Sequence, residues 1–402
     1  MRGRVALTVR ARPPLLVLLC VTFFTATFSI GAFPPLLPEL GAAARLTDRE
    51  LGMVASAYGF ARLVAAVPVG ILVTKHLRGN LLVAPAVLAA GIVLLSLARS
   101  FEGFVLGRVV MGIGQSAVMI GGLTALLRYS VGGRLASALN AVELSAILGM
   151  LGGVTLLGLL PQTFGWNLAL LVVCSPIALG IALAPMVSTS VPREPGGAST
   201  TQDGSRSPVG LRAARPLTGL AVLAFTAGGC LAVSYSTIEQ FLIPMRGARE
   251  FGLDRTGLSR LFMLMQICDI LTLVPAGMLA DRLGPQRVLG AVLLTMAAGG
   301  SLIALGNLPL LALGCALFGL GMAGWMLPLG VLRAESSPEQ IGWRTAVYRV
   351  GVDGGMFLGP LVSGLLGAER AGVLPLVMAV VLTLIGWLLI AGRATRSLRQ
   401  EV

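Results

Sequence analysis

Apolar stretches of about twenty residues, each long enough to cross a ~30 Å hydrocarbon layer as a helix, recur along this chain between short polar loops. The pattern predicts twelve transmembrane helices. Six lie near 14–36, 51–73, 81–98, 104–127, 136–160 and 166–187, and six near 216–241, 258–280, 288–306, 309–332, 346–367 and 372–391. The one long polar interval, 188–215, holds Pro192, Pro195, Gly196, Gly197, Ser199, Thr200, Thr201, Gly204, Ser205 and Pro208. Such a composition cannot build a core and predicts a cytoplasmic linker between two six-helix units, 1–187 and 216–402. The remaining loops leave no room for a soluble catalytic or nucleotide-binding domain.

The two halves repeat. Val67-Pro68-Val69-Gly70-Ile71-Leu72 returns as Val274-Pro275-Ala276-Gly277-Met278-Leu279, an offset of 207 residues. Gly107-Arg108-Val109-Val110-Met111-Gly112-Ile113-Gly114 returns at that offset as Gly314-Cys315-Ala316-Leu317-Phe318-Gly319-Leu320-Gly321. Three further residues shift the register to 210, aligning Glu143 with Asp353 and Gly149 with Gly359. Three matches in series mark a duplication. Duplicated halves related by an axis along the membrane normal place a transporter's substrate site near the midplane between them. The first register sets Arg62 opposite Asp269, each roughly 16 Å deep in its helix. A charge there costs several kcal/mol unless it is paired or faces water, so both residues are functional candidates and an Arg62–Asp269 pair is expected.

With 402 residues, 56% hydrophobic and 12% charged, the chain is too apolar for a soluble domain. The net charge of +13 raises the question of a polyanionic partner, and its distribution answers it. Arg2, Arg4, Arg10 and Arg12 precede the first span, Arg393, Arg396 and Arg399 follow the last, and most other basic residues fall in loops on that same side. This positive-inside bias predicts cytoplasmic termini and contact with anionic headgroups, with no nucleic-acid partner. Cys20, Cys174, Cys230, Cys268 and Cys315 all fall in predicted spans without a CxxC pair, and His76, in a predicted loop, is the only histidine. Packing cysteines and a solvated histidine are expected, with no metal, disulfide or cofactor. There is no phosphate-cradling loop, so neither ATP-driven transport nor an enzyme activity is expected.

Gly277-Met278-Leu279-Ala280-Asp281-Arg282-Leu283-Gly284-Pro285-Gln286-Arg287 resembles the G-x-x-x-D-R-x-G-x-x-R loop signature of the major facilitator superfamily. The first-half equivalent, Gly70 to Arg78, has Thr74 in place of the aspartate. Arg108-x-x-x-Gly112-x-Gly114 is similar to the fourth-helix motif of proton-coupled members, and Phe33-Pro34-Pro35 through Tyr58 resembles the family's drug and metabolite exporters. One departure stands out: the G-P-x-x-x-G element that resembles an antiporter signature lies in the eleventh span, at Gly359, Pro360 and Gly364, and not in the fifth. The resemblance covers essentially the whole chain and implies an all-α membrane protein of two pseudo-symmetric six-helix bundles. It also implies that Gly277, Asp281, Arg282, Gly284 and Arg287 clamp the cytoplasmic face in one conformation.

Helical spacing adds candidates for a substrate cavity. Tyr58 shares a face with Arg62, and Gln266 shares one with Asp269. Gln115 lies along the Arg108 face, Thr25 sits on a hydroxyl face of the first helix, and Tyr235 clusters with Glu239 and Gln240 in the seventh. Trp325, in the tenth, is either a stacking wall or packing. Arg108 reads as a coupling charge or as a packing arginine bonded to carbonyls. Glu143 and Asp353 read as proton-relay carboxylates or as partners of basic residues such as Arg349. Burial favours the neutral form of a carboxylate and a nearby guanidinium its charged form, so a substrate displacing Arg62 would favour proton uptake by Asp269.

The expected function is secondary active transport of a small organic molecule by alternating access: proton-coupled export of a drug or metabolite by a monomer in a bacterial inner membrane. Uptake or exchange of an organic anion, with Arg62 and Arg108 as its clamp, is the alternative. A lipid flippase and a non-transporting membrane sensor are further readings.

Overall fold

The structure is a computed structural model that describes residues 15–129, 135–192, 218–336 and 341–400. The basic N-terminal residues 2–12 and most of the predicted linker lie outside the described residues. The helices are α1 (Leu15–Ala44), α2 (Asp48–Leu97), α3 (Phe101–Tyr129), α4 (Leu135–Leu159), α5 (Trp166–Cys174), α6 (Ile177–Ser190), α7 (Gly219–Thr237), α8 (Ile243–Arg249), α9 (Arg255–Leu283), α10 (Pro285–Leu305), α11 (Leu308–Met322), α12 (Leu327–Ala334), α13 (Ile341–Leu366) and α14 (Val373–Gln400). No strand occurs among the described residues.

Ten helical segments among the described residues are long and apolar enough to cross a membrane. Two differences separate this figure from the twelve predicted spans. The spans near 51–73 and 81–98 run on as the 50-residue α2, broken by one residue outside helical geometry, His76 (φ −134°, ψ 46°). The predicted loop histidine is that break. The span near 346–367 is α13, whose arginines, aspartate and glycines lower its hydropathy below that of the others.

Local sequence explains where helices start and bend. Thr47 caps α2 in a reciprocal box: Glu50 N–H donates to its hydroxyl, and Thr47 N–H donates to the Glu50 carboxylate at 2.7 Å. Asp254 and Asn307 cap α9 and α11 from one side only, each accepting from the backbone N–H three residues on. Between α9 and α10, Gly284 has φ +87°, a conformation that an L side chain strains to adopt, and Pro285 then opens α10. A π turn, Ile238–Leu242, joins α7 to α8. Such insertions recur at functional sites because they re-aim the side chains they carry.

Within the first half α1 packs on α4 and α6, and α2 on α3; within the second, α10 packs on α14 and α11, and α13 on α7. The halves meet along two seams, α2 against α13 and α4 against α9. At one end of the molecule, here the far end, lie the α1–α2, α4–α5 and α8–α9 turns. Residues 192 and 218 lie at the opposite, linker end.

The α2–α13 seam is antiparallel and closes from the far end inward. A Cβ on Gly52 would sit 2.6 Å from Gly364 Cα and 2.7 Å from the Pro360 oxygen, and one on Gly59 would sit 2.6 Å from the Met356 carbonyl carbon. One turn deeper Arg62 meets Asp353. Past that level the helices part: a Cβ on Gly70 or Gly351 would meet nothing within 4 Å. Small residues permit the close approach, and their reach marks its limit. Polar bonds reinforce the far end. Arg249 pairs with Asp48 at 2.6 Å, Ala368 N–H donates to Asp48 at 2.8 Å, Arg255 grips Glu39 with two nitrogens, and Gln162 donates to Asp254.

Candidate functional site

A cavity of about 180 Å³ lies between the halves below these contacts. Thr27, Arg62, Gln115, Met119, Glu143 and Met150 line it from the first half, and Tyr235, Asp269, Met322, Trp325, Arg349 and Met356 from the second.

Its best-defined element is an ion pair across the halves. Arg62 Nη2 is 2.9 Å from Asp353 Oδ1, and Arg349 Nε, one turn back on α13, is 3.6 Å from Asp353 Oδ2. The Arg62 and Asp353 side chains are 15% and 3% exposed, so the charges hold each other out of water. The expected Arg62–Asp269 pair is not formed. Repeat-equivalent residues occupy equivalent positions in opposite halves, but α2 packs on α13 while α9 packs on α4. Asp353, read as a partner of Arg349, bonds Arg62 more closely. Asp269 lines the same cavity, is 6% exposed, and its Oδ1 has no hydrogen-bond partner.

The other predicted residues divide. Gln115, Tyr235, Glu143 and Trp325 line the cavity. Tyr235 and Trp325 stack edge to face, with ring centroids 5.5 Å apart, and the Tyr348 hydroxyl donates to the Trp325 carbonyl at 3.1 Å, fixing the break between α11 and α12. Tyr58 is buried behind the cavity, its ring faced by both the Arg62 and Arg108 guanidiniums. Gln266 is buried on α9 and is not among the lining residues.

Thr25, like Tyr58 and Gln266, does not take the cavity position expected of it, and Arg108 takes the packing role of its two readings. The Thr25 hydroxyl donates to Thr22 O and packs against Gly180 of α6, so it faces its own bundle. Two residues on, Thr27 lines the cavity and donates to Ala146 O at 2.7 Å. Arg108 is 2% exposed; it donates to Ala55 O at 3.2 Å and Val54 O at 3.4 Å, and its guanidinium lies 3.7 Å from the Phe33 ring centre. That is the packing arrangement, with two of its nitrogens bonded to α2 carbonyls and its charge against aromatic faces.

Sequence reasoning gave Glu239 little weight. It lies on the π turn one helical turn from Tyr235, is 1% exposed and leaves Oε2 without a partner. The signal was an acidic residue in an apolar span. The loop-signature residues lie at the linker end, with Asp281, Arg282 and Arg287 exposed, Gly277 facing open space and Gly284 making the turn. Among the described residues no group of three or more His, Cys, Asp or Glu side chains is arranged to hold a metal ion.

Comparison with known proteins places this architecture. A mutant of the nucleoside transporter NupG superposes with a TM-score of 0.75 at 15% identity, covering 94% of this chain and 99% of its own. A bacterial homolog of the human lysosomal transporter Spinster, in an inward-facing and occupied conformation, superposes at 0.73 with 16% identity over 93% and 96%. The human organic anion transporter MFSD10 (TETRAN) superposes at 0.64 with 20% identity over 94% and 100%. At these identities the likeness is one of fold. The sequence model of the Major Facilitator Superfamily matches residues 19–247 and 217–401. Duplicated apolar halves, a polar cavity between them and this family match lead to one conclusion: the chain belongs to the Major Facilitator Superfamily and is a multi-pass membrane transporter of a small substrate.

Proposed function

We propose that the chain moves a small organic molecule by alternating access, coupled to protons, in the direction of export. The observation that carries this reading is the α2–α13 seam: closed at the far end, open past Arg62 and Asp353, with the ion pair at the wall of the cavity. An interface that ends at a buried charge pair has two arrangements, one with the pair made and one with it released, and rigid halves can rock between them. The positive-inside pattern sets the far end outside and both termini in the cytoplasm, so this conformation loads from the cytoplasm. A bacterial inner membrane fits that charge pattern.

Asp269 supplies the coupling. A carboxylate at this depth without a basic partner is neutralised by a proton or by a bound cation, and exchanging one for the other links the two fluxes. The loop-signature residues Asp281, Arg282 and Arg287 act at the linker end, closing it when the far end opens. Export of a drug or metabolite is the outcome when the proton enters from outside. The organic-anion reading has lost its clamp, because Arg62 is ion-paired and Arg108 is spent on carbonyls and rings.

Proteoliposomes with an internal pH dye, challenged with pooled metabolites, drugs and organic anions, test the reading. A pH change that appears with one pool and disappears in Asp269→Asn supports it, and its sign separates antiport from symport. Undiminished proton movement in Asp269→Asn would refute the coupling role.

A further inference from the structure

The repeat relates the two seams to each other. Its registers carry Arg62 of α2 onto Asp269 of α9, and Asp353 of α13 onto Glu143 of α4. The counterpart of the ion pair that ends the α2–α13 seam is therefore a pair of carboxylates on α4 and α9. Both line the cavity, one from each half, and they lie close enough to interact electrostatically. One seam is drawn together by opposite charges, and the other sets two acids against each other, which repel when both are ionised.

The basic residues around the cavity leave Asp269 uncompensated. Arg62 and Arg349 are both committed to Asp353, and Arg349 also lies within electrostatic reach of Glu143. Arg108 is held by carbonyls and rings behind the wall. Arg62, Asp353, Arg349 and Glu143 thus balance as a group. The titratable groups that face Asp269 are Glu143, Glu239 and the Tyr235 phenol, and its Oδ1 and Glu239 Oε2 are buried acceptors without a partner. Buried acceptors left unpaired are costly, and a donor carrying positive charge satisfies them best.

We propose that Asp269 and Glu143 form a site for an organic cation held between the two halves, with Tyr235 and Trp325 as its aromatic wall. This rests on the transporter reading above and names the substrate class. An ammonium donates to Asp269 Oδ1 and screens the repulsion across the α4–α9 seam, so that binding favours closure of that seam. The ring faces of Tyr235 and Trp325 attract the same charge. Thioethers of Met119, Met150, Met322 and Met356 around the cavity adapt to an apolar body of varied shape. Cation and proton compete for one carboxylate, which makes the exchange obligatory: the proton leaves Asp269 as the ammonium arrives.

Three probes of one shape isolate the charge: 1-naphthylmethylamine, 1-naphthylmethanol and 1-naphthoate, titrated at fixed neutral pH onto the purified full chain in detergent. The amine should bind about tenfold or more tighter than the alcohol, with naphthoate weakest. In Asp269→Asn the amine and alcohol should converge to within about threefold, whereas Asp269→Glu should keep the preference. Glu143→Gln should weaken the amine selectively. Tightest binding by naphthoate, an amine preference surviving in Asp269→Asn, or no binding by any of the three would overturn the site. Size-exclusion behaviour of each variant separates misfolding from lost selectivity, and Asp269→Glu decides the case if Asp269→Asn fails to fold. No proton gradient enters this measurement. A chain that prefers the amine but moves no protons keeps the site and loses the coupling; one that moves protons with a neutral or anionic substrate does the reverse.

Discussion

Gly52→Ala should act as a wedge. The added methyl carbon would sit 2.6 Å from Gly364 Cα, where carbon atoms pack best at ~3.5–4.0 Å, so α2 and α13 must part by roughly 1 Å at the far end. Overpacking of this kind costs about 1–3 kcal/mol, and here the cost falls only on the conformation in which the seam is closed. The closed-to-open ratio should therefore shift by about 5- to 150-fold. Ser259, fully buried where α9 meets Gly158 of α4, reports the change. As the single cysteine Ser259→Cys in a background without the five native cysteines, it should react with a membrane-impermeant maleimide only when the far end opens. Gly52→Ala should raise the labelling rate within that range. Gly70→Ala, which adds the same methyl where nothing lies within 4 Å, should leave it unchanged. Equal rates in wild type and Gly52→Ala, or an equal rise in Gly70→Ala, would refute the reasoning.

Three further outcomes follow from the same geometry. Arg62→Gln leaves Asp353 buried with only Arg349 at 3.6 Å, and should lower stability by roughly 3 kcal/mol in detergent melts; removing Asp353 as well should restore part of it. Gly284→Ala forces a side chain into φ +87° and should cost about 1–2 kcal/mol by the same assay, whereas Gly277→Ala, in open space, should not. Arg108→Lys gives up the planar stack on Phe33 and should cost about 1 kcal/mol while leaving substrate-driven proton movement intact; loss of coupling would return Arg108 to the transport pathway.

The fold was legible because a bilayer leaves the chain few choices: apolar spans must be helical, and a repeat at a fixed offset implies paired bundles. Arg62 was legible for the same reason, as a charge where charge is costly. Its partner was not. An internal repeat reports equivalence, and equivalent residues lie on α2 and α9, which touch α13 and α4 and so never meet each other in the seams. Thr25 was misplaced because a threonine hydroxyl in a helix bonds its own backbone, so a polar face on paper does not identify the polar wall. Glu239 was underweighted because the π turn that re-aims it leaves no trace in hydropathy. The two seams differ in sign, an ion pair against two acids, and that becomes visible only when the repeat registers are laid on the packing.

The two halves should rock about the level of Arg62 and Asp353. Spin-label distances across each end test it most directly, with Ala43→Cys and Arg370→Cys at the far end, and Lys75→Cys and Arg333→Cys at the linker end, all exposed positions. In Gly52→Ala the far-end distance should lengthen while the linker-end distance shortens. Both distances lengthening together, or a linker end that stays put as the far end opens, would contradict it.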